Sequence, residues 1–184
     1  FQAEATAWLA NNNIATTNDS FKYADGVPKV DTKVVAILTS NGFVQSTTNE
    51  TGPFGVILES TSFYAESGGQ VSDTGSLSVK GCELNVAECK SAAGYILHVL
   101  AESDSVNVQV GDDCATLVDS DRRANIMPNH TMTHVMNFAL REVLGNDVHQ
   151  KGSIVDHEKL RFDFSHNKPV TGEQIQQAQD IVNA

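Results

Sequence analysis

Short apolar runs broken by turn residues dominate the middle of this chain. Val34-Val35-Ala36-Ile37-Leu38, Gly55-Val56-Ile57-Leu58, Gly75-Ser76-Leu77-Ser78-Val79, Tyr95-Ile96-Leu97-His98-Val99 and Ala115-Thr116-Leu117-Val118 are rich in β-branched residues and separated by Gly, Asn, Asp or Ser. Several short strands at such intervals predict a small β-barrel over residues 33–120. Val106-Asn107-Val108-Gln109-Val110, followed by Gly111-Asp112, alternates apolar and polar residues and predicts one more strand with its turn. Ahead of the barrel, residues 1–32 read as a helical lead-in and connector. Ala5, Trp8 and Leu9 share one side of a short helix that Asn11-Asn12-Asn13 breaks.

The pattern changes between Asp119 and Asn125. Val135, Phe138, Ala139, Val143 and Leu144 recur at near-helical spacing, which places them on the core side of a helix. Asn129, after Pro128, suits its N-cap, and Gly145 suits its C-terminal stop. His130, His134, Asn137 and Arg141 form the opposite, exposed stripe. Beyond the helix, Val148 to Ile154 and Lys159 to Phe164 read as two strands, with Phe162 and Phe164 on one face and Arg161, Asp163 and Ser165 on the other. Residues 121–184 thus form an α/β layer, and the whole chain an α+β fold.

Composition adds boundaries. The chain has 184 residues, 40% of them hydrophobic, which suffices for one large or two small domains, and it has no membrane-length apolar run. Three cysteines, Cys82, Cys89 and Cys114, give an odd count without CxxC spacing, which suits a reducing, cytoplasmic setting and argues against a disulfide scaffold. The net charge is −11, and no basic run exists beyond Arg122-Arg123. On charge alone, a nucleic-acid partner is disfavoured. Both ends resemble cuts, the last inside the helical-looking run Gly172 to Ala184.

The sharpest chemical signal is His130 with His134. At i and i+4 on one helix face, two imidazoles can hold one metal ion, although zinc takes four ligands in structural sites and three plus water in catalytic ones. A bare HxxxH suits a solvated helix surface equally well. The absence of HExxH disfavours a metalloprotease.

Three separate stretches carry a family resemblance. Phe63-Tyr64-Ala65-Glu66-Ser67-Gly68-Gly69-Gln70 with Asp73-Thr74-Gly75, then Asn129 to His134, then Gln150-Lys151-Gly152-Ser153 with Leu160 to Ser165, resemble in order and spacing the editing region of the alanyl-tRNA synthetases. The resemblance implies a β-barrel followed by the second additional domain shared with threonyl-tRNA synthetases, here truncated at its C-terminus. It implies hydrolytic proofreading of tRNA(Ala) mischarged with serine or glycine, with the tRNA 3′ end and the rest of the synthetase as partners. It places the ATP- and Mg2+-dependent aminoacylation domain before Phe1, and the cysteine and histidine that complete a Zn2+ site on His130 and His134 after Ala184.

The same resemblance puts Gln150 in the catalytic pocket, where its amide can donate to a carbonyl and accept from a hydroxyl. Without the resemblance an exposed surface glutamine is the better reading. Arg161 and Asp163, on one strand face, either shape the pocket with Gln150 or form a plain ion pair. Ser67, Gly68, Gly69 and Gln70 are candidates for substrate binding, since paired glycines permit close backbone approach, or else make a tight turn. The competing function is a non-catalytic tRNA-positioning module of the synthetase. A free-standing metallohydrolase is disfavoured by the missing ligands.

Overall fold

A computed structural model describes residues 3–47, 53–101 and 107–184. The chain divides into two compact units, one of residues 1–67 and 72–120, the other of residues 68–71 and 121–184.

The first unit opens with helix α1 (Ala3–Asn11) and a 3₁₀ turn (Ser20–Tyr23). Seven strands follow: β1 (Val30–Thr39), β2 (Gly42–Val44), β3 (Gly55–Leu58), β4 (Gly75–Val79), β5 (Cys82–Ala92), β6 (Tyr95–Leu100) and β7 (Asp113–Val118). Antiparallel pairs run β1–β3–β6–β5–β4–β7, and β7 returns to β1, so six strands close a barrel while β2 extends from β1. Closure depends on the length of β1. Its Val30–Lys33 half pairs with β7, and its other half pairs with β3 and β2. A bulge between Val34 and Ala36 turns the corner.

That bulge also sorts the side chains. Val34 and Ile37 both join the interior with Val56, Leu58, Leu77, Val79, Leu84, Val86, Ile96 and Leu100. Ala36 and Ile57 instead belong to a second cluster with Leu9, Tyr95 and Leu97. Leu9 of α1 is fully buried there, whereas Trp8 is half-exposed and stacks on Phe43 at 4.2 Å between centroids. Asn13, at φ 55, ends the helix in the left-handed region that asparagine tolerates.

Two features depart from the sequence pattern. The alternating run at residues 106–110 makes no named strand among the described residues; Val106 lies outside them, and Gln109 forms only an isolated bridge to Ser46. Conversely β5, the longest strand among the described residues, is not one of the apolar runs that mark β1, β3, β4, β6 and β7, since Glu83, Asn85, Glu88 and Lys90 separate its apolar residues. A bulge between Val86 and Glu88 interrupts the alternation as well.

One histidine lies in the interior among the described residues. His98 is fully buried; its Nδ1–H donates to Val56 O at 3.2 Å, and its Nε2 accepts from Thr61 Oγ1 at 2.8 Å. Both nitrogens are thereby satisfied in the neutral form, and the Phe63 ring meets the imidazole edge-on at 5.3 Å. Burial disfavours the cation and lowers the pKa from 6.5 to about 4. The unfolded chain therefore binds the proton at a higher pH than the folded one. Stability is complete above 6.5 and falls as pH drops toward 4, by up to roughly 3 kcal/mol. Fluorescence of Trp8, the sole tryptophan, should report a barrel whose denaturation midpoint declines across this window. His98→Leu should be less stable at neutral pH by about 1–3 kcal/mol, since Thr61 loses its acceptor, and the deficit should shrink as pH falls.

Candidate functional site

All the residues that gather in one place lie in the second unit. It comprises α2 (Ser120–Leu144), β8 (His149–Val155), β9 (Leu160–Ser165), α3 (Gly172–Val182) and the segment 68–71. Helix α2 begins at Ser120, ahead of the expected Asn129 cap, and runs through Pro128. Proline removes one donor, so the Ala124 carbonyl lacks its usual intrahelical partner; both residues are exposed, and water can replace it. Asn129 has another task. Its Nδ2 donates to Asp156 O at 2.9 Å, tying the helix to the turn between β8 and β9.

His130 and His134 lie one turn apart, with ring centroids 5.4 Å apart and planes tilted by 50°. His134 is exposed and His130 half-buried. The stripe continues to Phe138, which is 57% exposed rather than packed on the core. The reason is periodicity, because Phe138 stands at i+4 from His134 and shares its face. The buried positions of α2 are Arg123, Ile126, Thr133 and Ala139, so of the five residues expected on the core side only Ala139 is fully buried. Gly145, at φ 97, donates its N–H to Arg141 O and ends the helix as its sequence predicts.

The β8–β9 hairpin pairs Gln150 with Phe164, Ser153 with Phe162, Gly152 with Asp163 and Ile154 with Arg161. Directly paired residues share a face, so the bulge between Gln150 and Gly152 puts Gln150 and Ser153 on the same side. Gln150 Nε2 donates to Ser153 Oγ at 3.3 Å. Arg161 and Asp163 bond to each other at 2.9 Å on the other face, with side chains 60% and 44% exposed. They do not join Gln150. An exposed pair of this kind contributes under about 1 kcal/mol. At the hairpin turn, the amides of Glu158 and Lys159 donate to the Asp156 carboxylate and hold it below its ordinary pKa.

The glycine segment is stitched to this hairpin. Val155 N–H donates to Gly69 O at 2.8 Å, and Val71 N–H donates to Val155 O at 3.0 Å, so Gln70 makes a parallel bridge with Val155. Ser153 Oγ donates to Gly68 O at 3.3 Å. Gly69, at φ +84, lies so close that an added Cβ would stand 2.2 Å from Ser153 Oγ and 2.5 Å from its carbonyl oxygen. Between these anchors Gln70 is nearly buried, and its Oε1 accepts from His130 Nδ1 at 2.7 Å. Gly68, Gly69, Gln70, His130, Ser153 and Gln150 therefore form one connected set. Ser67 belongs to the barrel unit, where its carbonyl accepts from Tyr64 Oη.

Two neutral imidazoles on successive turns fit zinc as two of its nitrogen ligands. Because His130 Nδ1 is engaged by Gln70, Nε2 is the nitrogen left to bind. Among the described residues no group of three or more His, Cys, Asp or Glu side chains converges. Sequence reasoning did not single out Ser153 or Asp156: Ser153 stood only within the string Lys151-Gly152-Ser153, and Asp156, which Asn129 meets through its backbone carbonyl, carried no signal.

Comparison with known proteins adds a separate finding. The profile of the tRNA synthetases class II (A) matches residues 2–122, the length of the barrel unit. Alanine–tRNA ligase of Candida albicans is 47% identical over 94% of this chain, which covers 18% of that protein. The cytoplasmic alanine–tRNA ligase of Dictyostelium discoideum is 42% identical over 98% of the chain and 19% of its own length. The mitochondrial alanine–tRNA ligase of Saccharomyces cerevisiae is 42% identical over 95% of the chain and 18% of its own length. The chain thus spans about a fifth of the length of these relatives.

The two glycines make contrasting demands. Gly69→Ala should detach residues 68–71 from β8, destabilising the second unit by at least about 2 kcal/mol and abolishing amide-exchange protection at Val155. At Gly68, φ +61, an added Cβ meets nothing within 4 Å, so Gly68→Ala should cost only backbone strain, about 1 kcal/mol, and keep that protection.

Proposed function

Because this chain belongs to the alanine–tRNA ligase family, we propose that its second unit hydrolyses the ester of mischarged tRNA(Ala), with Ser-tRNA(Ala) and Gly-tRNA(Ala) as substrates. The reaction adds water across the bond between the amino acid's carbonyl carbon and the terminal ribose oxygen. It releases free amino acid and tRNA hydroxyl. Such an ester is already activated, so the site needs to orient a water, stabilise a developing oxyanion and recognise a small amino acid.

One observation carries this reading: the Gln70–His130 bond joins the Gly-Gly-Gln segment to the histidine helix. A tight turn and a solvated helix face, the plain alternatives for these two motifs, need no such union. Within the set, the Nε2 of His130, which the Gln70 bond leaves as the acceptor nitrogen, can accept a hydrogen bond from water. The Gln150 amide, hydrogen-bonded to Ser153, can meet the substrate's carbonyl or hydroxyl. Gly68, where an added Cβ meets nothing within 4 Å, leaves the backbone open to the approach of the ester. His130 and His134 would hold zinc together with ligands from outside these 184 residues, and the ion would supply Lewis-acid polarisation there. Arg161 and Asp163, on the other face of the hairpin, stay outside this set.

Charge assigns the remaining roles. With a net charge of −11, this chain meets only the charged 3′ end, and the grip on tRNA comes from elsewhere in the longer protein. Alanine activation with ATP and Mg2+ likewise belongs to other segments. Cys89 and Cys114 are buried, and burial raises Cys114 to about 12, which keeps it an inert thiol. Together with the odd cysteine count, this suits work in the reducing cytoplasm. No helix among the described residues is long and apolar enough to cross a membrane.

In the full-length protein, Gln150→His should fill the pocket and slow deacylation of Ser-tRNA(Ala) by roughly ten- to hundredfold, the value of a lost polar contact, while alanine charging is unchanged. Equal deacylation rates for the two proteins would favour a tRNA-positioning module instead.

A further inference from the structure

We infer that Gln70 is the positioning residue of His130, fixing its imidazole as the Nδ1–H tautomer with the Nε2 lone pair turned outward. The inference deepens the hydrolytic reading and rests on it for its functional meaning. Four observations carry it. Gln70 Oε1 stands 2.7 Å from His130 Nδ1, a short hydrogen bond for a nitrogen donor. Gln70 is only 6% exposed, so water competes poorly for either partner. Its backbone is held on both sides, by Val155 N–H to Gly69 O and by Val71 N–H to Val155 O. Finally, Gly69 sits where no side chain fits against Ser153, which fixes the approach of the segment.

The consequence concerns which nitrogen is available. A neutral imidazole has one N–H and one lone pair, and the group bonded to one nitrogen decides the state of the other. An amide oxygen on Nδ1 therefore leaves Nε2 as the acceptor, the state required to take a hydrogen bond from water or to ligate a metal. A carboxylate would do the same with added negative charge beside an anionic tRNA end. An uncharged amide avoids that repulsion. His134, by contrast, is exposed, so water competes for both of its ring nitrogens and the two histidines are unequal.

The test reads the tautomer directly. Long-range nitrogen–proton correlation of the imidazoles at mildly alkaline pH should show His130 as the Nδ1–H form in the wild-type chain. Gln70→Leu should move it toward the Nε2–H form, and Gln70→Glu, which keeps an acceptor, should restore Nδ1–H. His134 should not respond. In the full-length protein, Gln70→Leu should lower kcat for Ser-tRNA(Ala) deacylation about ten- to hundredfold with little change in KM, and Gln70→Glu should recover most of it. A wild-type His130 in the Nε2–H form, or one that ignores Gln70→Leu, would overturn the inference. The wild-type spectrum decides this even if a variant fails to fold. Because the tautomer is read without substrate, loss of the hydrolytic reading and loss of the positioning role are separately visible.

Discussion

The docking of residues 68–71 onto Val155 is the constraint on which the candidate site depends. Two backbone hydrogen bonds flank Gln70, one through Gly69 O and one through Val71 N–H, and neither survives unless Gly69 can lie against Ser153 without a side chain. With the segment in place, Gln70 has little conformational freedom left to lose, and its amide meets His130 at 2.7 Å. Detached, Gln70 would be one more flexible polar side chain, and His130 an ordinary helix-surface imidazole. A tight backbone approach thus settles the orientation of a ring on another element.

The hairpin contributes through its irregularity. In a regular strand Gln150 and Ser153 would point to opposite faces, since side chains alternate. The bulge inserts one residue between them and brings both to one side, where they bond to each other and Ser153 reaches Gly68 O. Arg161 and Asp163 follow the regular register of β9 and face away, which is why their ion pair is solvated. The α1 and β1 elements show the same principle in the barrel, where the Val34–Ala36 bulge lets Ile37 face inward while Ala36 meets the cluster around Leu9.

Much of this was legible before any coordinates. The β-branched runs at residues 34–38, 55–58, 75–79, 95–99 and 115–118 all became strands, and the Gly145 stop and the histidine helix are where periodicity put them. What failed had physical causes. Pro128 suggested a helix start but sits on an exposed face where a missing donor is tolerated, so α2 extends back to Ser120. Phe138 was read as core from its hydrophobicity although it shares the histidines' stripe. The site itself was half legible. Motifs named its members, yet the bond between Gln70 and His130 links residues 60 positions apart, and no local pattern encodes such a contact. The bulge that partitions Gln150 from Asp163 is equally silent in sequence.

Family and charge bear on different questions. Membership of the alanine–tRNA ligases rests on the match over residues 2–122 and on relatives similar along nearly the whole chain, while the net charge of −11 disfavours an extended nucleic-acid contact on this chain itself. The local chemistry rests on the geometry of the second unit alone.

Native-state hydrogen exchange at the Val71 and Val155 amides tests that geometry most directly. Both should exchange only with the cooperative opening of the β8–β9 hairpin, with the same free energy of opening and the same response to denaturant. Val71 exchanging at the rate of an unstructured loop while Val155 stays protected by another partner would mean that the Gly-Gly-Gln segment is not part of the second unit, and the account would fail.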